Sequence, residues 1–151
     1  MFIENNSIYL LKLNKMKKLF LDDMRQVKDA CYYVSNPKVY WEDGWDIVRN
    51  YGEFVEYIEK NGLPDLISFD HDLADFHYEY KPEDYENMSE DEMNMKFGSM
   101  EKTGLDCAKW LVDFCSSNEL NIPDYFVHSA NPLGKENIIN YLENAKKHLG
   151  L

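Results

Sequence analysis

Leu66-Ile67-Ser68-Phe69 is a short, mostly apolar run that gives way at once to three polar residues, Asp70-His71-Asp72. A run of this length reads as a strand buried on both faces, the pattern of a parallel sheet. Three more segments repeat the design. Leu19-Phe20-Leu21 precedes Asp22-Asp23-Met24-Arg25, Trp45 to Val48 precedes Arg49, and Tyr125-Phe126-Val127 precedes His128-Ser129-Ala130-Asn131. In open parallel sheets the ligand crevice lies outside the carboxyl ends of the strands. Polar residues scattered along the chain are therefore expected to meet at one edge, in a set suited to gripping a phosphate.

Helical patterns fill the spaces between these runs. Glu53 to Lys60 places Phe54, Val55 and Ile58 on one face and is stopped by Asn61-Gly62 and Pro64. Thr103 fits an N-cap, after which Leu105, Ala108, Leu111, Val112 and Cys115 recur at helical spacing. A last helix is expected from about Glu136, with Ile138, Leu142, Ala145 and Leu149 on one stripe and Lys146-Lys147-His148 complementing its C-terminal dipole. Gln26 to Asp43 carries no clean period and stays open between short helix and irregular cover. The expectation is a small α/β sandwich with right-handed crossovers and strand order 2-1-3-4.

The 151 residues suit one domain, and 44% hydrophobic with 15% aromatic content argues for a packed globule. A net charge of −12 argues against extended duplex nucleic acid, which needs a basic face, but leaves room for a small nucleotide or an RNA end. Cys31, Cys107 and Cys115 form no CxxC pair, which reads as a reduced, cytoplasmic protein. No apolar run approaches the roughly 18 residues of a membrane span. The expected organisation is an N-terminal extension over residues 1–15 and a domain over 16–151. Residues 73–102 interrupt that domain as an acidic insertion, with nine acids against three lysines. The insertion is either a solvated excursion or a lid over the strand ends.

Asp22, Asp23 and Asp70 would be neighbours in this strand order. Three clustered carboxylates repel one another unless a hard cation sits among them, and Mg²⁺ or Mn²⁺ suits such an oxygen-rich set. The alternative is an acidic turn beside a capping aspartate. His71 and His128 flank the same crevice and could act as base and acid across one phosphorus, with Asp72 orienting an imidazole or completing the metal shell. Arg25 and Arg49 could fork onto phosphate oxygens or pair with the acids. Thr103 at a helix N-terminus offers an anion site or an ordinary cap. Ser129 and Asn131 could donate to developing negative charge, or Asn131-Pro132 could simply set a turn. Trp41, Trp45 and Trp110 read as core rather than as platforms for bases.

The layout of acidic pair after strand one, aspartate after strand three and serine after strand four resembles response-regulator receiver domains. More closely, the chain resembles the receiver-like family of bacteria and phages named for cyclic-phosphate processing. The resemblance is carried by LDDMR (Leu21 to Arg25), WDIVRNYGEF (Trp45 to Phe54), ISFDHDL (Ile67 to Leu73), TGLDCAKWLVDFC (Thr103 to Cys115) and VHSANPLGKENIINYL (Val127 to Leu142). It implies a receiver-like (flavodoxin-like) three-layer sandwich with a truncated, mostly parallel four-strand sheet, and a hydrolase acting on cyclic phosphates at RNA ends; the residues themselves suit a small nucleotide as well. Two departures stand out. Gln26-Val27 replaces a proline expected after the first element, and no fifth strand ending in lysine follows, which speaks against a phosphoacceptor receiver. A non-catalytic module that sequesters a phosphate-bearing nucleotide is the other reading.

Overall fold

The computed structural model describes residues 16–34, 37–73, 89, 91–92 and 102–151. The N-terminal extension and nearly all of the acidic segment lie outside the described residues. Four strands form one fully parallel sheet: β1 (Lys18–Leu21), β2 (Trp45–Val48), β3 (Leu66–Phe69) and β4 (Asp124–Val127). Their order is β2-β1-β3-β4, as the sequence implies. Leu21 lies opposite both Val48 and Phe69, and Phe69 opposite Val127, so the strands end level. The backbone ladder runs one residue further. Asp22 N donates to Val48 O at 3.1 Å, Asp70 N to Leu21 O at 2.9 Å, and His128 N to Phe69 O at 2.9 Å. Residues that follow the strands are thereby made neighbours.

Alternation along the strands divides the core. Leu19, Leu21, Ile67, Phe69 and Val127 face a layer of three helices, α1 (Tyr51–Asn61), α2 (Gly104–Ser117) and α3 (Pro132–Leu149). Phe54 and Ile58 from α1, Leu111 and Cys115 from α2, and Ile138 and Leu142 from α3 complete that apolar layer. Phe20 and Phe126 face the other way, beneath two short 3-10 helices, Val27–Tyr33 and Pro37–Trp41, which contribute Ala30 and Tyr40. The aperiodic stretch Gln26 to Asp43 is thus the thin third layer of the sandwich. Its 3-10 helices are too short to show a helical stripe, because only one inward residue from each is buried.

Two sequence expectations need correction. The last helix begins at Pro132, four residues before Glu136: Asn131 caps it by accepting from Gly134 N at 3.0 Å, and Pro132 takes a first-turn position where no amide is needed. Trp41 is 60% exposed, because it ends its 3-10 helix on the outer side while Tyr40 turns inward. Trp45 stacks on Tyr40, and Trp110 packs against Phe54 and Phe114. Among the described residues, no helix is long and apolar enough to cross a membrane.

Candidate active site

Period-two alternation also decides which strand-end residues meet. Asp22 continues the row of Phe20, Asp70 that of Ser68, and His128 that of Phe126, so all three fall on the side of the 3-10 helices. Asp22 and His128 have no exposed surface and Asp70 retains 4%. Each offers one ligand atom, and these atoms lie within 4.8 Å of one another.

The turn after β1 is organised around Asp22. Its Oδ1 accepts from Met24 N at 2.9 Å and Arg25 N at 2.7 Å, while Oδ2 lies 2.9 Å from His128 Nε2 and 3.3 Å from Arg25 Nη1. Burial alone would raise its pKa. The hydrogen bond from His128 and those from the Arg25 and Met24 amides outweigh burial and hold it at about 2. Asp70 behaves oppositely. Burial, followed by the charge of Asp22, pushes its pKa above the usual carboxylate value, against the opposing influence of His128, the His71 amide and Arg25.

Arg25 Nη1 sits between the two carboxylates, 3.3 Å from Asp22 and 3.6 Å from Asp70. The repulsion that the sequence left without an offset therefore has one inside the chain. The offset is incomplete: both distances exceed the 2.7–2.9 Å or so of a close charge-assisted hydrogen bond, and Asp70 remains under strain from burial and its neighbour. Arg49 takes a different place from either sequence alternative. Its Nη1 donates to the backbone carbonyls of Asp22 (3.0 Å) and Arg25 (2.7 Å), pinning the acidic turn.

His71 follows β3 on the helix side. Its Nδ1 lies 2.8 Å from Asp72 Oδ1, and its ring packs against Gly134 at the start of α3, where a Cβ would stand 2.3 Å from the imidazole. The two histidines are thus used differently. His128 is enclosed, its ring stacked on Phe20 with centroids 4.4 Å apart. The hydroxyl of Thr103 goes to a capping box with Asp106, and Gly104 N donates to His71 O at 2.8 Å. Ser129 Oγ accepts from Asn131 N at 3.1 Å. Thr103, Ser129 and Asn131 accordingly build the turns around the site in this structure.

Asp22, Asp23, Met24, Arg25, Asp70, Asp72 and Ala130 line a crevice of about 400 Å³ at the strand ends. A larger groove of about 740 Å³ runs beside β4 between Val39 and Ile139, but it holds none of these carboxylates. Chemistry rather than size picks out the smaller one. Two buried carboxylates with an incompletely offset charge could chelate a hard divalent cation, and Asp23 lines the same crevice. His128 Nε2 already engages Asp22 at 2.9 Å and so braces that carboxylate. Sequence reading missed two further members, Ser68 and Tyr40, which extend the His128 contact into the core. A lone serine inside a doubly buried strand was the available signal, since a buried hydroxyl needs a partner.

A family model described as the cyclic-phosphate processing receiver domain matches residues 17–144. The chain belongs to that family. The match takes in all four strands and the crevice, and stops within α3. Family membership and the buried Asp22, Asp70 and His128 cluster are together consistent with metal-assisted cyclic-phosphate chemistry. No curated protein matches the chain.

Proposed function

We propose that the protein is a metal-assisted phosphoesterase that opens a cyclic phosphate on a small nucleotide or an RNA end. The observation that carries this reading is the pair of buried carboxylates, Asp22 and Asp70, which share Arg25 at the mouth of the strand-end crevice. In it Asp22, Asp23 and Asp70 hold Mg²⁺ or Mn²⁺. The bound ion would polarise the phosphoryl group and lower the pKa of a water. Arg25, whose side chain is 27% exposed, reaches the phosphate oxygens and offsets their developing charge. Asp72, which lines the crevice and is bonded to His71 Nδ1, takes a proton from the attacking water with that imidazole sharing it, and the pair returns it to the ribose oxygen released when the P–O bond of the ring breaks. His128 acts through Asp22. Arg49, Thr103, Ser129 and Asn131 keep the surrounding turns in place.

One observation favours a binding-only alternative: both ring nitrogens of His128 are engaged within the protein, which among the described strand-end residues leaves His71 as the imidazole for proton transfer. The two readings separate on whether ligand is consumed. A panel of 2′,3′-cyclic mononucleotides, cyclic dinucleotides and RNA ends, with and without divalent metal, tests this directly. Metal-dependent conversion of one class to a ring-opened monoester supports hydrolysis, and ligand recovered intact after binding assigns sequestration.

A further inference from the structure

Ser68 is the polar residue of β3, and it is completely enclosed. Its Oγ lies 2.7 Å from the hydroxyl of Tyr40 and 2.7 Å from His128 Nδ1; on the far side of the imidazole, Nε2 lies 2.9 Å from Asp22 Oδ2. All four side chains have no exposed surface. The His128 ring is stacked on Phe20 and met edge-on by Tyr40, so it cannot flip without unpacking that layer.

The hydrogens of this chain can be counted. Asp22 Oδ1 accepts from two backbone amides and Oδ2 from Arg25 Nη1, so this carboxylate is set up to accept throughout, and Nε2 must carry a hydrogen and donate it. If Nδ1 also carried one, Ser68 would have to accept it. The chain Tyr40–Ser68 would then hold two hydroxyl hydrogens with one oxygen left between them to receive them. One hydrogen would be stranded in a buried site, where an unmade hydrogen bond is costly. A single arrangement satisfies every atom: Tyr40 donates to Ser68, Ser68 donates to Nδ1, and Nε2 donates to Asp22.

We infer that Ser68, backed by Tyr40, is a positioning residue of the site: its hydroxyl occupies His128 Nδ1, so that the imidazole keeps its Nε2–H on the Asp22 carboxylate. His128 then serves neither as the proton shuttle nor, through Nε2, as a ligand. The thin 3-10 layer is also tied to the crevice, because Tyr40 belongs to the second 3-10 helix and its hydroxyl is the start of the chain. This inference concerns the resting protein and stands whether or not a cyclic phosphate is turned over.

The test is a long-range ¹H–¹⁵N correlation spectrum of the full chain with ¹⁵N-labelled histidine at neutral pH, free of metal. The wild type is expected to show His128 with a pyrrole-type Nε2 and a pyridine-type Nδ1. Ser68→Ala should shift the Nδ1 resonance, because that lone pair loses its hydrogen bond while Nε2–H stays on Asp22, and Ser68→Thr, which keeps the hydroxyl, should restore it. Tyr40→Phe should preserve the tautomer, since Ser68 still donates to Nδ1. A wild-type spectrum with hydrogen on Nδ1 overturns the inference without recourse to any variant. An unchanged Nδ1 resonance in a folded Ser68→Ala protein overturns it too.

Discussion

A methyl group on Gly104 would have nowhere to go. Built there, a Cβ stands 1.8 Å from the backbone oxygen of Asp70, 2.8 Å from its carbonyl carbon and 3.1 Å from His71 Cα. Ordinary van der Waals contact begins near 3.4 Å, so Gly104→Ala must push the start of α2 away from the end of β3 by well over 1 Å. Neither partner can give cheaply, because both are backbone. The 2.8 Å bond from Gly104 N to His71 O would break in the process. Overpacking of this kind costs about 1–3 kcal/mol. For a chain of this size that corresponds to a Tm lower by roughly 2–12 °C. The functional effect is expected to be larger than the stability effect. The displaced backbone carries Asp70 and His71, and misplacement of reacting groups by about 1 Å costs on the order of 10²-fold in rate. Thermal unfolding with and without Mn²⁺ measures the first effect and cyclic-phosphate turnover the second. Gly52→Ala is the control: it meets only Asn50 Oδ1 at 3.4 Å within α1, and should leave both unchanged. A Gly104→Ala protein with wild-type Tm and wild-type metal response would refute the close approach that positions Asp70.

Asp22 has a folded pKa of about 2 against an ordinary 3.8, so its stabilisation is present above the ordinary value and is lost as pH falls through the folded one. That difference is worth on the order of 2 kcal/mol. Urea unfolding should show wild type ahead of Asp22→Asn at pH 5, with the gap closing between about pH 4 and pH 2; a gap persisting at pH 2 contradicts the linkage. Asp70 has the opposite sign: its raised pKa means that stability declines as pH rises through the carboxylate range. In metal-free buffer at pH 7, Asp70→Asn should therefore be at least as stable as wild type, while losing most of the metal response. For wild type, a metal at 100 times its Kd adds about 2.7 kcal/mol, which is roughly 5–10 °C here. Equal Tm rises in the two proteins would remove Asp70 from the metal site.

Strands and strand order were legible because short apolar runs flanked by polar residues leave few alternatives in a parallel sheet, and the positions of Asp22, Asp70 and His128 followed from it. Side-chain destinations were less legible. Arg49 looks as suited to phosphate as Arg25, and only the path of the turn after β1 shows that it grips the carbonyls of Asp22 and Arg25. His71 and His128 both follow their strands closely, His71 two residues past β3 and His128 one residue past β4. They differ by one step of alternation relative to the sheet, which sends one ring toward α3 and the other beneath Tyr40. The 3-10 layer was illegible for lack of any period, and with it went Tyr40 and the hydrogen-bonded chain through Ser68.

The most direct measurement is the ³¹P spectrum of a 2′,3′-cyclic mononucleotide incubated with the wild-type protein and Mg²⁺ or Mn²⁺, alongside the same mixture with chelator and one with Asp70→Asn. The account predicts that the cyclic resonance gives way to that of a ribose monoester with wild type and metal alone. A cyclic resonance that persists in all three, across the nucleotides and RNA ends that bind, would contradict it.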